Sequence, residues 1–394
     1  MKASIIIPSY NSKERLRLNL LSLNCQDYPN DDIEIIVIDN GSDDNTMEML
    51  KGAKLKYPHK FIRIEKNLGI ANGRNKGILS ATGDLLIFHD SDMIAAKNFV
   101  ASHIAAHTKK NMVVCGNFWK RVYSHFYDNF SADQISELRK KQRHDNYKNK
   151  AQLISDDDVN NGKFEHSSFD LEIDFTKSLK AIAIKEGNNL LNYSMPWRFF
   201  ITNNLSVERK RVVEVGMFDA NIVKYGYEDY DLGIRLYKSG SKFVLAPDII
   251  SVHQEHPKYF NYKDLAENLN YICNKFNDIC HIDVILVCMG DCLGFGEDSI
   301  NLIMGDIEKV LPLKKYNDFV KLFLELLQTI CKMYFKQSFD SAIQMSGHIT
   351  SNIPRLIEHC RELRDFHKAN NLVDGVCFLL KKIFDIDLKM LIEM

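Results

Sequence analysis

Several features are scarce in this 394-residue sequence, and each scarcity removes a class of protein. The 51 Lys plus Arg against 52 Asp plus Glu leave a formal charge of −1. There is no positive surplus to hold nucleic acid or an anionic membrane nonspecifically, so any anionic ligand must be held locally. The 9 cysteines are scattered, odd in number and without a CxxC pair, which argues against a zinc site and a disulfide framework and for a reducing cytoplasm. No charged and apolar leader precedes the first strand pattern, and the apolar run Asp283 to Met289 is far too short to span a bilayer. The expectation is a cytoplasmic protein without a transmembrane segment. What remains, 45% hydrophobic and 26% charged residues, is ordinary for a globular protein, with length for two or three domains at roughly 150 residues each.

Organisation follows from periodicity. Ser4-Ile5-Ile6-Ile7-Pro8 is a β-branched run stopped by proline, and Ser12 to Cys25 then carries leucines at helical spacing. Ile33 to Ile38, Phe61 to Ile64 and Leu85 to Phe88 repeat the strand, each followed by a helical pattern. Four βα units in succession predict a largely parallel, doubly wound α/β sheet, whose ligands sit at the carboxyl ends of the strands. From about Trp119 to Tyr193 the pattern turns polar and irregular, which suggests solvated helix and loop, or a mobile segment that helps to bind a second substrate. A helix is expected from Asp229 to Lys238 and strands at Phe243 to Ala246 and Ile249 to His253. After about Tyr259 only Pro312 and Pro354 interrupt helical spacing, so the expected domains are an α/β domain over 1–257 and a mostly helical one over 258–394.

Chemistry is expected where those strands end. His89-Asp90-Ser91-Asp92 follows Leu85 to Phe88 directly; two carboxylates one residue apart suit Mg²⁺ or Mn²⁺, although such a turn also occurs at surfaces without metal. Tyr225-Gly226-Tyr227-Glu228-Asp229-Tyr230-Asp231 places acids at the start of an amphipathic helix. They complement the helix dipole, and a carboxylate between aromatic walls also has the raised proton affinity of a general base. Pro8-Ser9-Tyr10, Asp39-Asn40-Gly41 and Asn67 to Gly77 with Arg74 fall on the same sheet edge. Together they can form a nucleotide pocket, with a tyrosine to stack, an aspartate for a base N–H and an arginine for the anionic part. His253 ends a strand and either completes the metal site or is structural. Trp197, ahead of Asn203-Asn204, is a sugar-stacking platform or core.

In their order and spacing the motifs Ser4 to Asn11, Val37 to Thr46, Asn67 to Asn75 and Asp90-Ser91-Asp92 resemble the inverting family 2 glycosyltransferases of the GT-A fold. The stretch from Thr202 through Asp219 to Asp229 is similar to the acceptor half of galactosyltransferase-like and chondroitin-polymerase-like members. The resemblance implies a doubly wound mixed sheet in a GT-A domain. It also implies a nucleotide pocket from Pro8, Tyr10, Asp39, Arg74 and Asp90, and Mn²⁺ or Mg²⁺ on Asp92, Asp90 and His253. Asp229 is then the base, with Glu228 beside it on acceptor or sugar hydroxyls and Trp197, Asn203 and Asn204 around acceptor and sugar. The function implied is metal-dependent, inverting transfer from a UDP-sugar to a hydroxyl of a cell-surface glycan, with a peptide or protein side chain as the other acceptor. His89 and the helical tail depart from the family pattern; the tail is expected to serve homo-oligomer assembly or acceptor docking. Two other classes compete. A nucleotidyltransferase would carry a glycine-rich basic loop where Ser9-Tyr10-Asn11 stands, and a non-catalytic sugar-nucleotide binding module would have lost the acidic residues that are intact here.

Overall fold

A computed structural model of the chain describes residues 1–141, 147–257, 261–293, 296–335, 347–366 and 374–384. It divides into two compact units, one of Met1–Leu191 and Pro196–Leu265, the other of Asn192–Met195 and Ala266–Met394.

The first unit is built on β1 (Ala3–Ser9), α1 (Lys13–Asn24), β2 (Ile33–Asn40), α2 (Thr46–Gly52), β3 (His59–Ile64), α3 (Ile70–Ser80), β4 (Leu85–Phe88), β5 (Met93–Ala95), α4 (Phe99–Ala106) and β6 (Met112–Asn117). β7 (Lys120–Val122), α5 (Ala132–Lys141), α6 (Asp156–Asn160), β8 (Phe169–Asp170), α7 (Asp174–Glu186), β9 (Leu205–Glu208), α8 (Arg209–Glu214), α9 (Glu228–Lys238) and β10 (Lys242–Gln254) complete it. The sheet order is β3-β2-β1-β4-β9-β6-β10-β7-β8, with β5 paired to β10. Every residue of β1 and β2 is buried, as the unbroken Ile and Val runs require of parallel strands covered on both faces. β3, half exposed, closes one edge.

The sheet is mixed because β9 runs antiparallel to both β4 and β6, while β10 is parallel to β6. The carboxyl ends of β1, β2, β4 and β10 and the amino end of β9 therefore share one edge. The two strands expected near residues 243–253 are one 13-residue strand, whose register shifts between Leu245 and Ile250 around Pro247; proline cannot donate to the ladder, so the strand bends there without ending.

The stretch after Trp119 is more ordered than its polarity suggested. Tyr123, Phe126, Tyr127, Phe130, Leu138, Leu153 and Phe169 form their own core. These aromatics come at no regular period, so pattern reading passes over them. The Asp156-Asp157-Asp158 run opens α6, where Ser155 Oγ accepts from Asp158 N at 3.1 Å and the Asp158 carboxylate accepts from Ser155 N at 3.0 Å, a reciprocal cap that places acids at the positive end of the helix.

The second unit is helical: α10 (Tyr262–Lys275), in which the division between the units falls, then α11 (Ile282–Leu293), α12 (Glu297–Val310), α13 (Asn317–Phe335), α14 (Gly347–Phe366) and α15 (Asp374–Phe384). Ile285, Leu286, Ile303, Phe319, Phe323, Leu327 and Leu379 fill its core. Asp306 accepts from Gly375 N at 2.7 Å and Val376 N at 3.2 Å, capping α15 from α12. Among the described residues no helix is long and apolar enough to cross a membrane.

Candidate active site

Two clusters form at the shared edge. In the first, Arg74 of α3 is 2% exposed and its guanidinium is ringed by carboxylates: Nη2 donates to Asp90 Oδ1 at 3.0 Å, and Nη1 to Glu228 Oε1 at 2.9 Å and Asp229 Oδ1 at 3.0 Å. The planar guanidinium holds these three acceptors in a fixed geometry, with donors to spare. α3 is aimed there by its start. Gly69 sits at φ +87°, and a Cβ on it would stand 2.3 Å from Val223 O, so glycine alone allows the loop before α9 to press against the helix end. That loop reaches α9 through Tyr227 at φ 68°, which turns Glu228 and Asp229 inward; Thr202 N and Oγ1, ahead of β9, both donate to Asp229 at 3.0 to 3.1 Å.

Charge decides how these groups titrate. Burial pushes the Asp229 carboxyl up, Arg74 opposes, Glu228 and Asp90 add to the rise, and the result is about 7. Burial likewise raises Asp90, against the pull of Arg74. Three carboxylates on one cation leave excess negative charge in a poorly solvated volume, which a proton relieves. The value near 7 belongs to the cluster as much as to Asp229.

In the second cluster, Asp92, His253 and His256 offer one ligand atom each within 4.8 Å of one another. Asp92 Oδ2 lies 3.5 Å from His253 Nε2 and 3.2 Å from His256 Nε2. Burial opposes ionisation of Asp92, yet the two imidazoles hold its carboxyl well below the usual range, while Asp92 raises His253 against burial. His256 Nδ1 lies 2.9 Å from Pro257 O, which can only accept, so Nδ1 carries the hydrogen. A neutral His256 then presents the Nε2 lone pair to a carboxylate oxygen, an arrangement that requires a proton or a metal cation between them. His253 Nδ1 faces Glu255 Oε1 at 3.5 Å, the orientation that carboxylates impose on metal-binding imidazoles. The donor set of one carboxylate and two imidazoles fits a divalent cation, and suits Mn²⁺ better than the more oxygen-seeking Mg²⁺.

The structure thus brings Asp90, Asp92, Arg74, Glu228, Asp229 and His253 to one edge, with three changes of part. Asp90 faces Arg74, and His256, which the sequence reading did not single out, stands beside Asp92 instead; its signal was the His253-Gln254-Glu255-His256 spacing at a strand end. Arg74 is engaged by carboxylates rather than open to a diphosphate. Asp39 is fully buried, accepting from Ser42 N at 3.0 Å and from Arg63 Nη1 at 2.5 Å, so Arg63 joins the pocket beside it. Tyr10 is 49% exposed at the mouth and Pro8 is buried in β1.

Two expectations are corrected. Trp197 is 1% exposed, edge-on to Tyr230 at 5.4 Å, and has no face to offer a sugar. Asn204 donates to Asn117 O and Ile249 O, both at 2.9 Å, and pairs with His103 Nε2 at 3.0 Å, bracing β6 and β10 as a buried amide must. Its neighbour Asn203 is 8% exposed with Oδ1 lacking a hydrogen-bond partner among the described residues. Asp231, also in the acidic run, pairs with Arg235 one turn on and lies outside the cluster.

Residues 4–160 match the model of glycosyl transferase family 2. The chain is 51% identical over 332 residues, 84% of either chain, to the uncharacterized glycosyltransferase YfnE of Bacillus subtilis. It is 27% identical over 276 residues to the chondroitin synthase of Escherichia coli, covering 68% of this chain and 37% of that longer one. Among solved structures, the S. aureus TarS 1-349 complex with UDP-GlcNAc superposes with a TM-score of 0.51 at 16% identity, covering 86% of this chain and 89% of that one, a likeness of fold. With a glycosyltransferase identical at half the aligned positions over 84% of either chain, and the amino-terminal motifs matched by the family model, this chain belongs to glycosyl transferase family 2 and is a glycosyltransferase of the GT-A fold.

Proposed function

We propose that the enzyme transfers a sugar from a UDP-sugar to a hydroxyl of a cell-surface glycan, inverting the anomeric carbon and using Mn²⁺. One observation carries this: a cation ligand set, Asp92, His253 and His256, shares a sheet edge with a carboxylate, Asp229, whose proton affinity sits near neutrality. A cation held there offsets the charge that grows on a departing diphosphate. Asp229 takes the proton of the attacking hydroxyl onto its carboxylate, while Thr202 holds its orientation. Glu228, its other oxygen fixed by Gly226 N at 3.1 Å, orients acceptor or sugar hydroxyls, and the unsatisfied Asn203 Oδ1 adds an acceptor for a hydroxyl donor. Base-assisted attack by the hydroxyl from the opposite face inverts the anomeric carbon and requires no second, covalent nucleophile. Tyr10, Asp39 and Arg63 suit a pyrimidine with a stacking face and carbonyl edges. The relative named chondroitin synthase supports a glycan acceptor, and the UDP-GlcNAc complex of TarS supports a UDP-sugar donor.

The experiment is a panel of nucleotide sugars tested for release of nucleotide diphosphate with Mn²⁺ and with chelator. Hydrolysis of a UDP-sugar that needs Mn²⁺ and vanishes in Asp92→Ala is expected. Full activity in chelator, or in that variant, overturns the reading.

A further inference from the structure

His89 has no part in the chemistry above, yet it is fully buried directly ahead of the Asp90-Ser91-Asp92 turn and both its ring nitrogens are engaged. The directions of these bonds follow from the partners. Asp90 O can only accept, so the Asn19 amide meets it with Nδ2, at 2.8 Å. The same Nδ2 stands 3.1 Å from His89 Nδ1, which must therefore accept. The ring proton is on Nε2, which donates to Ser251 Oγ at 2.8 Å, and Ser251 Oγ is 3.4 Å from Ile94 O. A single ordered chain of donors thus runs from α1 through the acidic turn to β10 and on to β5. Ser251 precedes His253 by two residues, so both point to one face of β10.

We propose that His89 is a positioning residue for the cation ligand set. Through the ordered bonds Asn19 to His89 to Ser251 it pins the acidic turn against β10 and sets the separation of Asp92 from His253. A leucine or phenylalanine would fill the same volume but would leave the acceptor side of Ser251 Oγ, with only its long bond to Ile94 O, and the second hydrogen of Asn19 Nδ2 unpaired, and buried polar groups shift to regain lost bonds. The backbone bond from Gln254 N to Asp92 O, 2.7 Å, and the pairing of β5 with Ser251 to His253 hold the two backbones together, so loss of His89 removes only the side-chain brace and lets the ligand side chains shift without unravelling the sheet.

This inference rests on the cation reading, and the test separates the two. Mn²⁺ affinity of the full chain is measured by calorimetry, with the melting temperature, for the unchanged protein, Asp92→Ala, Ser251→Ala, His89→Leu, His89→Gln and the double variant His89→Leu/Ser251→Ala. Outer-sphere partners of metal ligands typically contribute about 10- to 100-fold in affinity, so Ser251→Ala and His89→Leu should each weaken Mn²⁺ about tenfold. The double variant should be no weaker than His89→Leu, since both break one chain. His89→Gln, whose amide can still donate to Ser251, should recover part of the loss. Ile36→Val, a core change in β2, should alter melting and leave Mn²⁺ affinity as it was. If Ser251→Ala and the His89 variants bind Mn²⁺ within twofold of the unchanged protein, or if the two losses add, the proposal is wrong while the cation reading stands. Should His89→Leu not fold, Ser251→Ala and His89→Gln decide alone. If the unchanged protein binds no Mn²⁺, or Asp92→Ala binds it equally well, the cation reading fails and takes the positioning role with it.

Discussion

Asp229 is held between opposing demands. Burial and two neighbouring carboxylates favour its protonated form, while Arg74 and the two Thr202 donors favour the ionised one. A base must be ionised before it can accept a proton, so with the carboxyl near 7 transfer should rise as pH passes through about 7 and level above it. In Asp229→Asn that rising limb should vanish and turnover should fall about 10² to 10⁴-fold, with UDP and Mn²⁺ binding little changed; a pH profile of kcat/KM beside calorimetry checks it. Stability carries the same signature with a definite sign. A carboxyl raised above its ordinary 3.8 keeps a proton in the folded state that the unfolded chain has released, so the protein should lose stability as pH climbs from about 4 through 7. Asp229→Asn should flatten that slope in denaturant titrations. The residue types here were legible in the sequence, because acids in an aromatic run at a helix start are unusual. That Arg74 would sit among them was not, since the salt bridge joins residues 154 apart.

At the level of elements, the approach of the loop before α9 to the start of α3 decides whether base and donor sides meet. Gly69 at φ +87° and ψ 157° occupies backbone territory that is essentially closed to other residues. Gly69→Ala should cost about 1 to 3 kcal/mol from strain alone, more with the clash against Val223 O, and should weaken nucleotide binding, because α3 and the α9 loop cannot both keep their places. Thermal unfolding together with UDP titration would show it; unchanged melting and affinity would mean that the loop is free to yield. The α/β alternation of residues 1–107 was plain in the pattern, since buried parallel strands are written as continuous apolar runs. The fold after Trp119 was not, because its core is made by aromatics that pack from irregular segments and leave no period to read.

For the molecule as a whole, a ligand that binds only the folded state stabilises it by mass action, about 2.7 kcal/mol at a hundredfold excess over Kd. Adding Mn²⁺ should therefore raise the melting transition of the α/β unit, and chelator should reverse the shift. Asp92→Ala should respond to neither, and a transition indifferent to Mn²⁺ in the unchanged protein would place the cation elsewhere. The residue order alone determined the βα alternation, the strand ends on which chemistry is carried and the helical character of the last third, because each rests on local periodicity or on motifs a few residues long. Only the tertiary structure decided that β9 runs against its neighbours and so delivers Thr202 to Asp229, that Asp90 goes to Arg74 while His256 joins Asp92, and that Trp197 and Asn204 are spent on the core. Those outcomes depend on which side chains from distant segments arrive together in a dry volume and must satisfy one another there, a condition that no local stretch of sequence contains.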